Sequence, residues 1–163
     1  MAVARTCGAS RIFAVEVNPQ RLEIARRMGA DVTINPSSED PVTRVMEETA
    51  GNGVDVVLEM SGHPEGVHNG FAMLRLGGQV TLLGIPTAPV ELDLSDDIIF
   101  RGATVVGING RRVFQTWYQM EALIKSGRLD ITPAITGRLP LAEFKKGMER
   151  LRHGEGSKIL LEP

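Results

Sequence analysis

Short apolar runs alternate with segments of helical spacing along almost the whole chain. The runs predict strands at 12–17, 31–34, 54–60, 79–85 and 103–108. They are rich in valine and isoleucine, which is typical of a parallel sheet covered by helices on both faces. The alternation therefore predicts an α/β fold with a doubly wound parallel sheet.

The remaining segments predict helices at 41–50, 96–101, 112–126 and 141–151, and a terminal strand at 157–162. A further helix has Pro64 in its first turn and is expected to end near Gly77–Gly78. Trp117 lies on an apolar helical stripe, so core packing is its expected role. Arg111–Arg112 open the same helix and indicate either a contact with an anionic group or a solvated helix start.

Residues 1–10 have the pattern of the tail of a helix. In a Rossmann-like sheet the first strand is central and leads into a glycine-rich loop that binds the pyrophosphate of a dinucleotide. Residues 1–10 are too few for that strand, loop and helix. We therefore expect one incomplete dinucleotide-binding domain over residues 1–163, without the central strand and the glycine-rich loop.

The composition narrows the class of protein further. The chain is 42% hydrophobic and 23% charged, with a formal net charge of -2, so the sequence indicates neither a nucleic-acid nor a membrane partner. No apolar run approaches the roughly 20 residues that span a bilayer. The single cysteine excludes an internal disulfide and favours a reducing, cytoplasmic location.

Glu16 is the first candidate functional residue, because it ends the first predicted strand. A carboxylate at this position can accept both ribose hydroxyls of the adenosine half of NAD, and it repels the 2′-phosphate of NADP. Arg21, in the first turn of the next helix, could reach back to the ribose or stack on the adenine. The alternative is that both residues are solvated surface charges.

Glycine-containing segments follow two later strands. They are Leu83–Gly84–Ile85 and Gly107–Ile108–Asn109–Gly110. Ligands of open α/β sheets bind beyond the carboxyl ends of strands, and glycine lets a flat ring approach the backbone. The alternative interpretation is that both segments are ordinary turns.

Metal binding finds little support in the sequence. His63 and His68 are five residues apart and would point away from each other on a helix. One cysteine cannot complete a structural zinc site. We expect no metal site in this chain, and His63, His68 and His153 are expected in loops or on the surface.

Longer stretches carry a resemblance to a family. The segments are EMSGHP (59–64), DDIIFRGATVVGINGRRVFQTWYQ (96–119) and GSKIL (156–160). They resemble the zinc-containing medium-chain alcohol dehydrogenase superfamily and, within it, the L-threonine 3-dehydrogenases, over residues 1–163. The resemblance implies oxidation of L-threonine with NAD to 2-amino-3-oxobutanoate and NADH.

The resemblance also implies roles for particular residues. Glu16 and Arg21 match the adenosine-ribose contacts, with glutamate in place of the commoner aspartate. Two segments match the nicotinamide side, namely Leu83, Gly84 and Ile85, and Ile108 and Asn109. The strand 103–108 resembles the edge through which the family forms dimers, so a homo-oligomer is expected. The helix and strand at 141–162 correspond to the part that returns to the catalytic domain.

The departures from the family pattern concern the reactive half. The ligands of the catalytic zinc and the four cysteines of the structural zinc are absent from this sequence. We therefore expect the chain alone to be inactive, with L-threonine as a partner only where a catalytic domain is present. The alternatives are a non-catalytic nucleotide-binding or assembly module and, less well matched, a Rossmann-like methyltransferase.

Overall fold

The computed structural model describes residues 1–110 and 112–163, so Arg111 of the predicted cationic pair lies outside the described residues. The chain divides into two compact units. The first unit is formed by Met1–Glu39 and Val113–Pro163, and the second by Asp40–Arg112.

The helices and strands follow in chain order. They are α1 (Ala2–Thr6), β1 (Phe13–Val15), α2 (Pro19–Arg27), β2 (Val32–Ile34), α3 (Pro41–Glu48), β3 (Val54–Glu59), α4 (Pro64–Met73), β4 (Leu74–Leu82), a π-helical segment (Leu94–Ile99), β5 (Thr104–Gly107), α5 (Gln115–Lys125), a 3-10 turn (Thr132–Ala134), β6 (Ile135–Pro140), a second 3-10 turn (Leu141–Glu143), α6 (Phe144–Arg152) and β7 (Lys158–Glu162).

All strand pairs are parallel, as the apolar runs predict. In the first unit β1 pairs with β2, and β6 pairs with β7. In the second unit the order is β3-β4-β5, with β4 in the middle. Within the described part of the chain β1 has only β2 as a neighbour and β3 has only β4, so one edge of each strand is without a strand partner.

The core of the second unit forms where α4 covers the sheet. Val67 and Phe71 are one helical turn apart on α4 and are buried together with Leu74 and Val80 of β4. Gly70 faces β3, where an added Cβ would lie 3.0 Å from Val57 Cγ1. A side chain at this position would push the helix away from the strand. In the first unit, Ala25 of α2 packs on Ile12 and Ala14 beside β1.

The predicted end of α4 near Gly77–Gly78 is wrong, because the helix ends at Met73. Leu74 has extended backbone angles, is 1% exposed and pairs with Val54. Leu74 is therefore extended although the sequence pattern predicts a helix there, because burial and pairing with β3 favour the extended backbone. The register with β3 shifts before Gln79, and regular pairing runs from Gln79 to Leu82. The strand that was predicted at 79–85 therefore ends at Leu82.

Two features of the first unit also differ from expectation. Trp117 is half exposed instead of forming part of a core, and its ring stands edge-on to Phe114 at 5.7 Å. Strand β6 was not predicted, because its sequence ITGRLP has no apolar run and carries glycine and proline. It forms through parallel pairing with β7, the predicted terminal strand.

Candidate functional site

The Glu16 side chain is fixed at the carboxyl end of β1. Its main-chain N–H continues the ladder to β2 by donating to Ile34 O at 3.1 Å. Its carboxylate oxygen Oε1 accepts the main-chain N–H of Asn18 at 3.0 Å. The side chain is 28% exposed. The strand end therefore presents a carboxylate of set orientation that solvent can reach.

The structure brings Arg21 close to Glu16, and the predicted roles of the two residues at the ribose stay predictions. Asn18 is the N-cap of α2, and its Oδ1 accepts the main-chain N–H groups of Gln20 and Arg21 at 2.9 and 3.2 Å. The cap places Arg21 Nη1 at 3.8 Å from Glu16 Oε2, a loose ion pair with 43% of the arginine side chain exposed. An exposed pair of this kind contributes little stability, so both groups are available to a ligand.

The loop after α6 closes on the start of α2, which sequence reasoning missed. Asn18 Nδ2 donates to Gly154 O at 2.9 Å, and Gly156 N donates to Gln20 Oε1 at 3.3 Å. An open groove of about 540 Å³ lies beside these contacts and includes Gln20, Arg150 and Gly156 in its lining. No sequence motif predicts the contact between Asn18 and Gly154, which are 136 residues apart in the chain.

The segment Leu83–Gly84–Ile85 begins directly after β4 in the second unit. The main-chain N–H groups of Leu83 and Gly84 both donate to Glu59 O, at 2.9 and 3.2 Å. The side chains of Leu83 and Ile85 are 44% and 87% exposed. An apolar surface is thus displayed at the carboxyl edge of the three-stranded sheet.

Ile108 and Asn109 lie at the same edge, one strand further along. Gly107 pairs with Leu82, and Ile108 N donates to Leu82 O at 2.9 Å. Ile108 is 44% exposed, and an added Cβ at Gly107 would meet no atom within 4 Å. The ends of β4 and β5 therefore bring both predicted nicotinamide-side segments together within the second unit.

A buried carboxylate at the end of β3 was missed by the sequence reasoning. Glu59 is 6% exposed and accepts hydrogen bonds from Ser61 N and Oγ and from Gly62 N. The available signal was a glutamate that ends a valine-rich strand and is followed by serine and glycine. A charged residue in such a run needs local donors, because a buried charge is costly unless it is hydrogen-bonded.

Metal ligands do not cluster in residues 1–110 and 112–163. No group of three or more histidine, cysteine, aspartate or glutamate side chains in these ranges could hold a metal ion. His63 precedes α4, His68 lies on it and His153 follows α6, and all three are exposed, as predicted. None of the helices in the described ranges has the length and apolar character of a membrane span.

Comparison with known proteins places these features in context. A family model described as zinc-binding dehydrogenase matches residues 1–126. L-threonine 3-dehydrogenase from Bacillus velezensis is 45% identical over 163 residues, which is 100% of this chain and 47% of that protein. The chain thus spans about half the length of the curated relatives it matches.

Solved structures share the fold over 99% of the chain. An alcohol dehydrogenase from Thermus sp. ATN1 is 34% identical with a TM-score of 0.90, and the match covers 47% of that protein. A protein described as a zinc-binding dehydrogenase from Sinorhizobium meliloti 1021, bound to NADP, is 26% identical with a TM-score of 0.89, over 48% of its length. The predicted Rossmann-like α/β class is confirmed.

Proposed function

This chain belongs to the zinc-binding dehydrogenase family, and from that premise we propose that it is the NAD-binding portion of an L-threonine 3-dehydrogenase-like oxidoreductase. The proposed reaction converts L-threonine and NAD to 2-amino-3-oxobutanoate and NADH. The observation that carries the proposal is the 45% identity with the Bacillus velezensis enzyme along the whole chain.

Glu16 is the proposed anchor for the adenosine ribose. A carboxylate has about four lone-pair sites, and the two recorded contacts of Glu16, with Asn18 and Arg21, leave acceptor capacity for a ribose diol. Arg21 would lie beside the same sugar. Because a 2′-phosphate would approach this carboxylate, the proposed cofactor is NAD rather than NADP.

The proposed nicotinamide-side residues are Leu83, Gly84, Ile85, Ile108 and Asn109. Support comes from the shared carboxyl edge of β4 and β5, where dinucleotide-binding sheets take their ligands. The exposed apolar side chains and the open space at Gly107 suit a flat ring. When bound, NAD accepts a hydride, and these residues would orient its ring and exclude water from one face.

The described residues do not fit the zinc that the family name implies, because they contain no cluster of metal ligands. A group that polarises the alcohol oxygen and a proton acceptor would have to come from residues outside 1–163. We therefore propose that this chain alone does not oxidise L-threonine.

The remaining proposals concern context. We propose that residues 1–163 belong to one dinucleotide-binding domain, with 141–162 leading back to a catalytic domain. We propose a cytoplasmic location and a homo-oligomer through the edge strand 103–108. Among the described residues β5 pairs only with β4, so its other edge presents N–H and C=O groups that a strand of a second copy could pair with.

A non-catalytic nucleotide-binding or assembly module is the second candidate. The observation on its side is that the described ranges contain no cluster of metal ligands. Both candidates include nucleotide binding, so they differ in the ability to support turnover.

A chimera separates the two candidates. The matched 47% of the Bacillus velezensis enzyme is replaced by residues 1–163 of this chain, and threonine-dependent formation of NADH is followed by absorbance. Turnover with NAD would support the proposed function. A folded chimera that binds zinc and NAD but never reduces NAD would favour the non-catalytic module, and one that binds no NAD would contradict both candidates.

A further inference from the structure

We propose that Glu59 is a positioning residue that sets the affinity for the nicotinamide half of the cofactor through Gly84 and Ile85. The proposal rests on the proposed NAD-binding function of this chain. Glu59 is the one charged side chain that is buried among the described residues. It is not placed to touch a ligand, so its effect must pass through its neighbours.

The carboxylate organises the turn that follows β3. Oε1 accepts Ser61 N at 2.9 Å and also the Ser61 hydroxyl, and Oε2 accepts Gly62 N at 3.0 Å. Ser61 Oγ in turn accepts His63 N at 3.0 Å. These bonds fix the turn from the strand end to the start of α4, because hydrogen bonds to an ionised acceptor are stronger than neutral ones.

The turn is in direct backbone contact with the proposed nicotinamide-side segment. A Cβ added to Gly84 would lie 2.0 Å from Gly62 N and 2.7 Å from Glu59 Oε2. A Cβ added to Gly62 would lie 2.6 Å from Ile85 O. No methyl group fits between the two segments, so a shift of Gly62 toward the other segment displaces Gly84 and Ile85.

The strand end holds the segment from its other side. Glu59 O accepts Leu83 N and Gly84 N, so the same residue contacts the segment by its main chain and the turn by its side chain. A substitution of the side chain leaves the main-chain bonds available. The proposal therefore predicts a local displacement at residues 84–85 and not a loss of the sheet.

The chemistry at Glu59 favours a geometric role over a stabilising one. Desolvation of a buried charge offsets part of the energy that its hydrogen bonds return, whereas the positions of the Ser61 and Gly62 N–H donors depend directly on the carboxylate. Gly62 N donates to both carboxylate oxygens, to Oε2 at 3.0 Å and to Oε1 at 3.2 Å, and Oε1 also accepts both Ser61 donors. The amide nitrogen of a glutamine at this position would face the Gly62 N–H donor to donor.

The test compares two ligands that differ only in nicotinamide. Isothermal titration calorimetry measures the affinity of the chimera with the Bacillus velezensis enzyme for NADH and for ADP-ribose, with E59Q beside the unsubstituted chimera, here called the wild type. We expect E59Q to lower the affinity for NADH by about tenfold, because binding must then return the displaced segment to its original position. The affinity for ADP-ribose is expected to stay within about twofold of the wild type.

Two further variants complete the experiment. E47Q removes an exposed carboxylate from α3 in the same unit and is expected to change neither affinity. S61A removes one donor to Glu59 from an exposed residue, so it tests the same network if E59Q does not fold. S61A is expected to lower the affinity for NADH by about threefold and to leave the affinity for ADP-ribose unchanged.

The outcomes separate this inference from the proposed function. If E59Q or S61A lowers the affinity for NADH but not the affinity for ADP-ribose, the positioning role of Glu59 is supported. Equal changes for both ligands, or no change in a folded variant, overturn the role of Glu59 and leave the proposed function intact. A folded wild-type chimera that binds neither ligand overturns the proposed function, and the inference fails with it.

Discussion

Substitution of Gly84 by alanine tests the contact between the two turns of the second unit most sharply. Gly84 follows β4, and an added Cβ would lie 2.0 Å from Gly62 N, well inside any real contact distance. The obstructing atom belongs to the backbone, so no side-chain rotation relieves the overlap. One of the two turns must move.

The structure sets the size of the expected effect. Forcing a methyl group into a filled space costs about 1–3 kcal/mol. Moving Gly62 also weakens its hydrogen bond to Glu59, and bonds to charged groups contribute about 1.5–3 kcal/mol. We therefore expect G84A to lower the free energy of unfolding by about 3–5 kcal/mol.

Gly107 offers a matched control, because it ends the neighbouring strand and its added Cβ meets nothing within 4 Å. G107A should stay within about 0.5 kcal/mol of the wild type. Urea unfolding followed by circular dichroism gives both free energies by linear extrapolation. Equal stability of G84A and G107A would refute the steric reasoning and weaken the proposed link between Glu59 and Ile85.

Three further predictions concern stability. F71A empties a fully buried position in the core of the second unit and should cost about 3–5 kcal/mol in urea unfolding, whereas a loss below about 1 kcal/mol would contradict that core. N18A removes the cap of α2 and the bond to Gly154, and a loss of about 1–2 kcal/mol is expected; an unchanged urea midpoint would argue against the cap. The hydrogen bond from Arg5 and that from Ile12 N lower the pKa of Asp31 below 3.8. Asp31 thus contributes stability above pH 3.8 that is lost as the pH falls through its lowered pKa. D31N should be less stable than the wild type at pH 7 and equally stable well below pH 3.8, and a pH-independent difference would contradict this.

Much of the fold follows from local sequence. The predicted strands at 12–17, 31–34, 54–60 and 103–108 contain β1, β2, β3 and β5, because continuous apolar runs favour parallel strands. The expected cover on both faces is incomplete in this structure, since Val56 and Leu58 of β3 are half exposed. The end of α4 could not be predicted, because the extended backbone of Leu74 depends on its pairing with Val54. The exposure of Trp117 could not be predicted either, because an apolar stripe on a helix does not show whether another element packs against it.

The candidate site divides in the same way. The ion pair of Glu16 with Arg21 was not foreseen and their role at the ribose stays a prediction, but the places of Glu16 at a strand end and of Arg21 at a helix start were predictable. The importance of Glu59 could not be predicted, because it depends on hydrogen bonds from main-chain donors of the next turn and on backbone contacts of that turn with Gly84 and Ile85. Contacts between backbone segments cannot be read from the sequence, except that glycines occur where two segments come close.

The cofactor preference at Glu16 tests the central claim most directly. The affinities of the wild-type chain and of E16Q for NAD and NADP are measured by calorimetry under the same salt conditions. The account predicts that the wild type prefers NAD by at least about tenfold, and that E16Q narrows this preference because the charge that repels a 2′-phosphate is gone. Equal affinity of the wild type for NAD and NADP, or a preference unchanged in E16Q, would contradict a ribose-binding role for Glu16.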